Sequence, residues 1–233
     1  MSEFFRFPHT PHIAWLGKGS PRDDKVLTNL EAGRFLSRPV VLEEKVDGAN
    51  LGFSVGTDGE LRAQNRGQYL LRPFTGQFAR LNEWLAIHEE ALFDALGTRL
   101  ILFGEWVAAV HSLNYNCLPD YFLVFDIYDR YVRRFWSSRR RNELAEKLGL
   151  DVIHRVGEGN YRLDLLKSMV QTIPSLYNDG PCEGLYLRQE DEQWLTARAK
   201  LVHPDFTQSI GQHWRRRALE WNRLSASATM PSH

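Results

Sequence analysis

The sequence of 233 residues has little cysteine, no net charge and no long apolar run. Two cysteines, Cys117 and Cys182, are too few for a disulfide framework or a metal-binding set, so we expect reduced thiols in or near the core of a cytoplasmic protein. Lys plus Arg and Asp plus Glu both number 29, which excludes a global charge that would steer the chain toward polyanions. No apolar run approaches the roughly 18 residues of a membrane helix, and the first residues lack the apolar region of a signal peptide. We therefore expect no membrane partner.

The chain is long enough for one large domain or two small ones, and its hydrophobic content of 43% is ordinary for a folded protein. Residues 1–38 show little periodicity, and residues 40–55 are typical of a strand, a tight turn at Asp47-Gly48 and a second strand. Further strands are predicted at 61–65, 99–107, 121–128, 152–156, 184–188 and 193–202, and helices at 75–96, 137–148, 163–172 and 206–224. Hairpins outnumber strand–helix–strand units, which predicts an α+β fold of antiparallel sheets flanked by helices.

The helix at 75–96 has the clearest pattern. Thr75 can cap its start and Gly97 can end it. Five apolar residues lie on one face at helical spacing, namely Phe78, Leu81, Leu85, Leu92 and Leu96.

The zero net charge hides clusters of arginine. They lie at residues 133–134, at residues 139–141, and at Arg215, Arg216 and Arg217. Such clusters are typical of solvated helix faces. Arginines with neighbouring tryptophans also suit contact with a phosphate backbone, and composition leaves both interpretations open.

Six short segments place polar residues at the ends of otherwise apolar strands, where a core would not need them. In chain order they are Lys45-Val46-Asp47-Gly48, Asn65-Arg66-Gly67, Phe103-Gly104-Glu105-Trp106, Val124-Phe125-Asp126-Ile127, Glu183-Gly184-Leu185-Tyr186 and Arg198-Ala199-Lys200-Leu201. The Lys-x-Asp-Gly pattern alone arises by chance in many chains. Its weight here comes from the companions that follow it in order.

In content and order these segments resemble the motifs of the covalent lysine nucleotidyltransferases, the superfamily of ATP-dependent ligases and mRNA-capping enzymes. Gly48-Ala49-Asn50 after the lysine is most similar to the RNA-ligase-2-like branch. The resemblance covers roughly residues 40–203. It implies a nucleotidyltransferase (ATP-grasp-like) domain that binds the nucleotide in a cleft between antiparallel sheets.

The resemblance assigns the central role to Lys45, which would attack ATP and carry AMP as a covalent adduct. A free lysine has a pKa of about 10.4, and only the unprotonated amine is a nucleophile. We therefore expect burial, neighbouring cations or a metal-bound triphosphate to depress the pKa of Lys45.

Arg198 and Lys200 alternate on one predicted strand, so their side chains would share a face. By resemblance they are catalytic cations that neutralise the α-phosphate as negative charge develops on it. The family more often has lysine at both positions, so Arg198 departs from the pattern. A surface strand with two exposed cations is the alternative.

The resemblance also implies a set of nucleotide contacts. Glu105 would accept hydrogen bonds from the ribose, Arg66 would reach the ribose or phosphate, and Glu44 would belong to the same pocket. Phe125 would stack on adenine, with an ordinary core phenylalanine as the alternative.

Two acids and one amide complete the implied site. Glu183 would bind a divalent metal, and Asp47 would orient the lysine or the metal. Few hard oxygen ligands shared with phosphates imply Mg²⁺ or Mn²⁺. Asn50 would touch the phosphate of the nucleic-acid end.

The function implied is that of an ATP-dependent RNA ligase in RNA repair, joining 3′-hydroxyl and 5′-phosphate ends through lysyl-AMP and adenylylated RNA. About thirty residues follow Lys200, too few for the five-stranded barrel that DNA ligases and capping enzymes carry there. We expect a monomer with a single adenylyltransferase domain at 1–233, a core at 38–204, and a C-terminal helix at 206–224 whose Arg215, Arg216 and Arg217 contact RNA.

Three alternatives remain open. The chain could be a DNA-nick ligase, or a domain that adenylylates itself or RNA ends while a partner completes sealing. From a different class, it could be a non-catalytic module that binds nucleic-acid ends.

Overall fold

The computed structural model describes residues 4–21, 25–209 and 219–226. In these ranges the α+β prediction is confirmed, and every strand pairing is antiparallel. The strands are β1 (Val40–Lys45), β2 (Ala49–Val55), β3 (Leu61–Gln64), β4 (Leu100–Trp106), β5 (Phe122–Asp129), β6 (Arg134–Phe135), β7 (Arg155–Gly159), β8 (Gly184–Glu190) and β9 (Leu195–Val202). The helices are α1 (Asn29–Phe35), α2 (Leu81–Leu96), α3 (Ser138–Lys147), α4 (Leu163–Thr172) and α5 (Pro204–Ser209).

Two sheets form the frame, one of four strands in the order β7-β1-β8-β9 and one of five in the order β3-β2-β4-β5-β6. The predicted strands on either side of Asp47-Gly48 are present, but they do not pair with each other, because β1 and β2 lie in different sheets. β1 pairs with β7 and β8, whereas β2 pairs with β3 and β4. A Cβ on Gly48 would lie 2.6 Å from the carbonyl oxygen of Trp106, so only glycine lets the chain cross so close to β4. Lys45 therefore stands where the chain passes between the sheets.

The five-stranded sheet is covered by α2, and the five apolar residues predicted for the inner face of this helix are all buried. The helix begins at Leu81, after a 3₁₀ turn at Gly76–Phe78. Thr75 makes no side-chain capping bond. Gly97 ends the helix at a positive φ of 47°, where glycine meets no steric penalty.

The four-stranded sheet packs against α1 and α4 through a second core that includes Phe35, Leu42, Leu166 and Leu187. The weak periodicity of residues 1–38 hid α1, which begins with a capping box between Thr28 and Glu31. β7 begins three residues later than the predicted strand at 152–156, because Asp151 and Ile153 instead form backbone hydrogen bonds with Val124 of β5.

The predicted helix at 206–224 is wrong at its C-terminal end. The described part of α5 stops at Ser209, and residues 219–226 are not helical. Trp221 pairs with Ala109, and Leu224 with Leu118, as isolated bridges. Arg215, Arg216 and Arg217 lie outside the described residues, so their contact with RNA stays a prediction.

Asn222 explains why the end of the chain is extended. Its buried side-chain amide donates to the carbonyl oxygens of Val107 at 2.8 Å and Ala109 at 3.2 Å, and accepts from the backbone N–H of Tyr115 at 2.8 Å. These bonds tie residues 219–226 to the loop that follows β4.

Two expectations drawn from composition can be compared with the structure. No helix of the described residues is long and apolar enough to cross a membrane. Cys182 is buried as expected, whereas Cys117 is exposed, and both are free thiols.

We predict that Asn222→Ala lowers the free energy of unfolding by about 2–4 kcal/mol, because three buried backbone groups lose their hydrogen-bond partner. Urea unfolding followed by circular dichroism measures the change. Arg223→Ala is the control, since this neighbouring side chain is exposed and its loss should change stability by less than about 0.5 kcal/mol. Equal effects of the two substitutions would contradict the structural role of Asn222.

Candidate functional site

A cavity of about 360 Å³ lies between the two sheets, as the sequence predicted for a nucleotide cleft. Both sheets contribute to its wall. The residues that the sequence singled out and that line it are Glu44, Lys45, Asn50, Arg66, Glu105, Phe125 and Lys200. Asp47, Glu183 and Arg198 are not part of this lining.

Lys45 ends β1 and points its amine at Glu183. The Nζ atom donates to the two carboxylate oxygens of Glu183 at 2.7 and 2.6 Å. The lysine side chain is 25% exposed and that of Glu183 is 13% exposed, so the pair is largely shielded from water at the edge of the cavity.

The pKa of Lys45 is opposite in direction to the expectation. Burial by itself lowers this pKa, but the acidic side chains of Glu183, Glu105 and Asp47 together outweigh burial, and the net pKa is raised. Neighbouring cations, which the sequence suggested as one cause of a lower pKa, do not dominate the pKa of Lys45. Lys45 is thus an ammonium group here, and an ammonium group is not a nucleophile.

The pKa of Glu105 is also raised by its surroundings. Burial, with further repulsion from Glu183 and Asp47, raises its pKa to about 8 despite the attraction of Lys45. Its Oε1 accepts a hydrogen bond from the backbone N–H of Gly48 at 3.1 Å. A carboxyl group that is neutral at pH 7 can donate as well as accept hydrogen bonds in the cavity.

Asp47 serves the turn that carries the lysine. Its carboxylate accepts from the backbone N–H groups of Ser112 at 2.6 Å and Leu113 at 3.2 Å, while its own N–H donates to the Tyr115 hydroxyl at 2.8 Å. The loop after β4 therefore fixes the crossing from β1 to β2. No sequence signal assigned this loop a role, since its side chains carry no recognisable motif.

Glu44 anchors a second loop beside Lys45. Its carboxylate accepts from the Ser175 hydroxyl and from the backbone N–H of Leu176 at 3.0 Å. Burial raises the pKa of this glutamate, although both hydrogen bonds oppose the rise. Glu44 lines the cavity, but its carboxylate is engaged by the protein.

Arg198 and Lys200 share a strand, but only Lys200 belongs to the cavity lining. Arg198 forms an ion pair with Asp126 at 2.8 Å and lies over the ring of Phe135 at 4.0 Å, and Lys200 lines the cavity. The carboxylate of Asp126 is completely buried and requires cationic partners, which explains why it holds the guanidinium. The catalytic role of Arg198 stays a prediction.

Phe125 is fixed in the cavity through its backbone. Its carbonyl oxygen accepts from Arg141 Nη1 at 2.8 Å and from Arg188 Nη1 at 3.0 Å. These buried arginines also pair with acids on both sheets, Arg141 with Glu43 at 2.7 Å and Arg188 with Asp126 at 2.7 Å. Sequence reasoning missed this network, and charged residues inside apolar strands were the available signal.

Two polar atoms in the cavity wall are ready for a ligand. Asn50 Oδ1 and Arg66 Nε are buried and have no hydrogen-bond partner within the described part of the chain. Buried polar atoms in native proteins are normally paired, so an unpaired acceptor and an unpaired donor facing one cavity point to a polar occupant.

The N-terminal segment supplies part of the wall, which the sequence did not reveal. Phe7 contacts Phe125 edge to face, with ring centroids 5.3 Å apart, and Thr10 Oγ1 lies 3.2 Å from the hydroxyl of Tyr186. The segment is held by Lys200, whose backbone N–H donates to Pro11 and whose carbonyl accepts from Ile13. Its aromatics and prolines lack the alternation that identifies a strand.

Among the described residues, no group of three His, Cys, Asp or Glu side chains is placed to hold a metal by itself. The Lys45 amine is nevertheless surrounded by three acids that offer hard oxygen donors, namely Glu183, Glu105 and Asp47. This set fits an Mg²⁺ or Mn²⁺ ion that takes most of its ligands from phosphates and water, with Glu183 the nearest donor once its pair with Lys45 opens.

The RNA ligase family model matches residues 38–202. The chain belongs to the RNA ligase family. A search of the curated proteins found no match. The fold is also that of RNA ligases of known structure, and the matched ligase extends well beyond the part that this chain covers.

Three solved structures from Naegleria gruberi illustrate the match. An RNA ligase variant with ATP and Mn shares 18% identity at a TM-score of 0.59, covering 75% of this chain and 52% of that one. A variant with AMP and Mn has the same values. The ligase with PPi shares 19% identity at a TM-score of 0.54, covering 71% and 49%. This chain therefore spans about half the length of the proteins it matches.

We predict that Glu105→Gln stabilises the protein increasingly as the pH rises. A glutamate of the unfolded chain loses its proton near its ordinary value of 4.5, whereas Glu105 in the fold keeps it until about 8. Between these values the native state binds more protons, so its stability falls with rising pH. The variant lacks this penalty. Between pH 5 and 8 its free energy of unfolding, measured in urea, should rise by on the order of 2 kcal/mol relative to that of the native chain. A difference that stays constant with pH would contradict the raised pKa.

We predict that Asp126→Asn costs about 3–5 kcal/mol of folding free energy, because it leaves Arg188 and Arg198 without their shared buried anion. Asp58→Asn is the matched control, since Asp58 pairs with Arg62 at the surface and should change stability by less than about 1 kcal/mol. Thermal and urea unfolding measure the stability of the two variants. Similar losses of folding free energy would show that the buried ion pairs of Asp126 stabilise the fold no more than the surface pair of Asp58 does.

Proposed function

We propose that the protein is an ATP-dependent RNA ligase that joins a 3′-hydroxyl to a 5′-phosphate. The observation that carries the proposal is the position of Lys45, whose amine lies at the edge of a cavity between two sheets, with Lys200 in its wall and the acid Glu183 in contact. A family shared with RNA ligases and a cavity of this chemistry support the same reaction.

In the first step Lys45 Nζ attacks the α-phosphorus of ATP. A P–N bond forms, the bond to the β-phosphate oxygen breaks, and pyrophosphate leaves. The proton of the ammonium group must depart first, and Glu183 is the acceptor in direct contact with it. A bound Mg²⁺ or Mn²⁺ ion would supply positive charge that lowers the pKa of the amine and stabilises the phosphates.

The remaining cavity residues bind and orient the nucleotide. Phe125 stacks on adenine against the edge of Phe7, and Glu105 hydrogen-bonds the ribose. Arg66 and Lys200 offset charge on the phosphates, as cations placed in advance at a reacting group do. Arg198 acts from outside the cavity lining and contributes to binding the phosphates through its hydrogen bonds with Tyr186 and Asp126.

In the second and third steps AMP is passed to RNA and then released. The 5′-phosphate of RNA attacks the lysyl-AMP phosphorus, which frees Lys45 and forms a pyrophosphate-linked end. A 3′-hydroxyl then attacks that end, a phosphodiester forms, and AMP leaves. The side-chain amide of Asn50, whose Oδ1 is unpaired among the described residues, contacts the RNA end, and Arg215, Arg216 and Arg217 are candidates for further RNA contact.

The related structures support the cofactors of this proposal. The Naegleria gruberi ligase is described with ATP and Mn, with AMP and Mn, and with PPi, which are the substrate, the transferred group and the leaving group of the first step. We therefore propose that this chain uses ATP and a divalent metal. We also propose that it is a single adenylyltransferase domain that acts in RNA repair in the cytoplasm.

The first test is incubation with ATP and Mg²⁺ followed by intact-mass spectrometry. We expect one added AMP on the native chain, located on Lys45 by peptide mapping, and none on Lys45→Ala. Lys147→Ala, which removes an exposed lysine of α3, should keep full labelling. Absence of the adduct from the native chain, or its presence on another residue, would refute the mechanism.

A second experiment addresses the substrate. Adenylylated protein is mixed with 5′-phosphorylated nicks made of RNA or DNA, and the products are separated by electrophoresis. We expect sealed RNA at a higher rate than sealed DNA. Faster sealing of DNA would identify a DNA-nick ligase, and accumulation of adenylylated RNA would assign sealing to a partner.

A further inference from the structure

A second depression, of about 500 Å³, lies at the opposite end of the five-stranded sheet from the nucleotide cavity. Three arginines line it: Arg6 of the N-terminal segment, and Arg130 and Arg133 of the turn between β5 and β6. No carboxylate of the described residues is among its lining. We call this feature the arginine depression.

Arg130, which lines the arginine depression, carries a donor that has no acceptor among the described residues. Its Nη1 donates to the carbonyl oxygens of Val55 at 3.1 Å and Thr98 at 3.2 Å, which fixes the guanidinium group. Its Nη2 is buried and has no acceptor in the described ranges. Burial lowers the pKa of this arginine, Tyr69 opposes that shift, and repulsion from Arg62 adds to it. An anion would satisfy the donor and offset the charge.

The other two arginines are placed for the same anion. Neither the Arg6 nor the Arg133 side chain forms an ion pair within residues 4–21, 25–209 and 219–226, although both line the depression. Arg133 has a positive φ of 58°, a left-handed conformation that glycine adopts without a steric penalty. A strained arginine at such a turn points to a use for its side chain.

Aromatic rings accompany the arginines. Tyr131 is 70% exposed and lies in the same lining. Tyr128 stacks on Phe5 with ring centroids 3.9 Å apart. Cations that contact a backbone, combined with exposed aromatic rings on which bases stack, are typical of surfaces that bind single-stranded nucleic acid.

The arginine depression and the nucleotide cavity share one face of the sheet. Ile101, Phe103 and Glu105 alternate along β4, so the buried pair points to the same side as the cavity acid. From Asn50 to Val55 along β2 the distance is roughly 17 Å. The N-terminal segment bridges this interval, with Phe7 at the cavity and Phe5 at the depression.

We propose that the arginine depression binds the phosphodiester backbone of an RNA strand, with Tyr131 as a stacking platform for a base. The inference rests on the proposed function, since a strand whose end is held at the nucleotide cavity would reach the depression a few nucleotides inward. A backbone diester offers the acceptor oxygens that Arg130 Nη2 lacks, and it meets the three arginines as a continuous anion.

The test uses the double variant Arg6→Ala/Arg133→Gly. Arg6 is exposed, and glycine suits the left-handed turn at residue 133, so the fold should not lose thermal stability. Arg34→Ala/Arg162→Ala is the matched control, because it removes two exposed arginines from α1 and from the start of α4, on the other sheet. Both variants are expected to form lysyl-AMP as the native chain does.

Binding is measured without ATP by fluorescence anisotropy of a short labelled single-stranded RNA across a salt titration. We expect roughly fivefold to tenfold weaker binding of the test variant at low salt. The log–log salt slope should become shallower by about 0.7 for each phosphate that the variant no longer neutralises. RNA with a 5′-hydroxyl should show the same decrease in affinity as 5′-phosphorylated RNA, because the backbone is bound.

Native-like affinity and salt slope in the test variant would overturn the proposal. So would a decrease confined to 5′-phosphorylated RNA, which would mean that the depression binds a terminal phosphate. The two proposals fail separately. If the native chain forms no lysyl-AMP but the test variant still binds RNA more weakly, the proposed reaction is wrong and the RNA site stands.

Discussion

Acids and arginines buried between the two sheets hold the site together. Glu43 of β1 and Asp126 of β5 lie on different sheets, and Arg188 contacts both, at 3.8 and 2.7 Å. Such charges are tolerated in a protein interior only when each has a partner with good geometry. Because Arg188 and Arg141 also hold the carbonyl of Phe125, the relation between the sheets and the position of the cavity ring depend on the same contacts.

The electrostatics of the cavity describe a protein at rest. Lys45 is surrounded by more negative than positive charge, and its contact with Glu183 keeps the amine protonated. If Lys45 is the proposed nucleophile, its activation requires that positive charge arrive together with the substrate. While it is protonated, the amine has no lone pair with which to attack a phosphate.

Motif residues on strands were predictable from the sequence, whereas the elements that support them were not. Lys45, Glu105, Phe125 and Lys200 end or interrupt apolar strands, and the structure brings them to one cavity. The separation of β1 and β2 into different sheets could not be predicted, because local pattern does not distinguish a hairpin from a crossing. The ion pair of Arg198 was hidden for a similar reason, since its partner Asp126 lies 72 residues away in the sequence.

The N-terminal segment determines which residues an expressed fragment of the protein must include. A fragment limited to residues 38–202, the span of the family match, would lack the chain that covers one side of β9 and the ring of Phe7. Its outermost strand would then expose unpaired backbone groups, a template on which copies assemble into aggregates. Insoluble protein from such a fragment would reflect a missing edge cover and would say nothing about the integrity of the ligase fold.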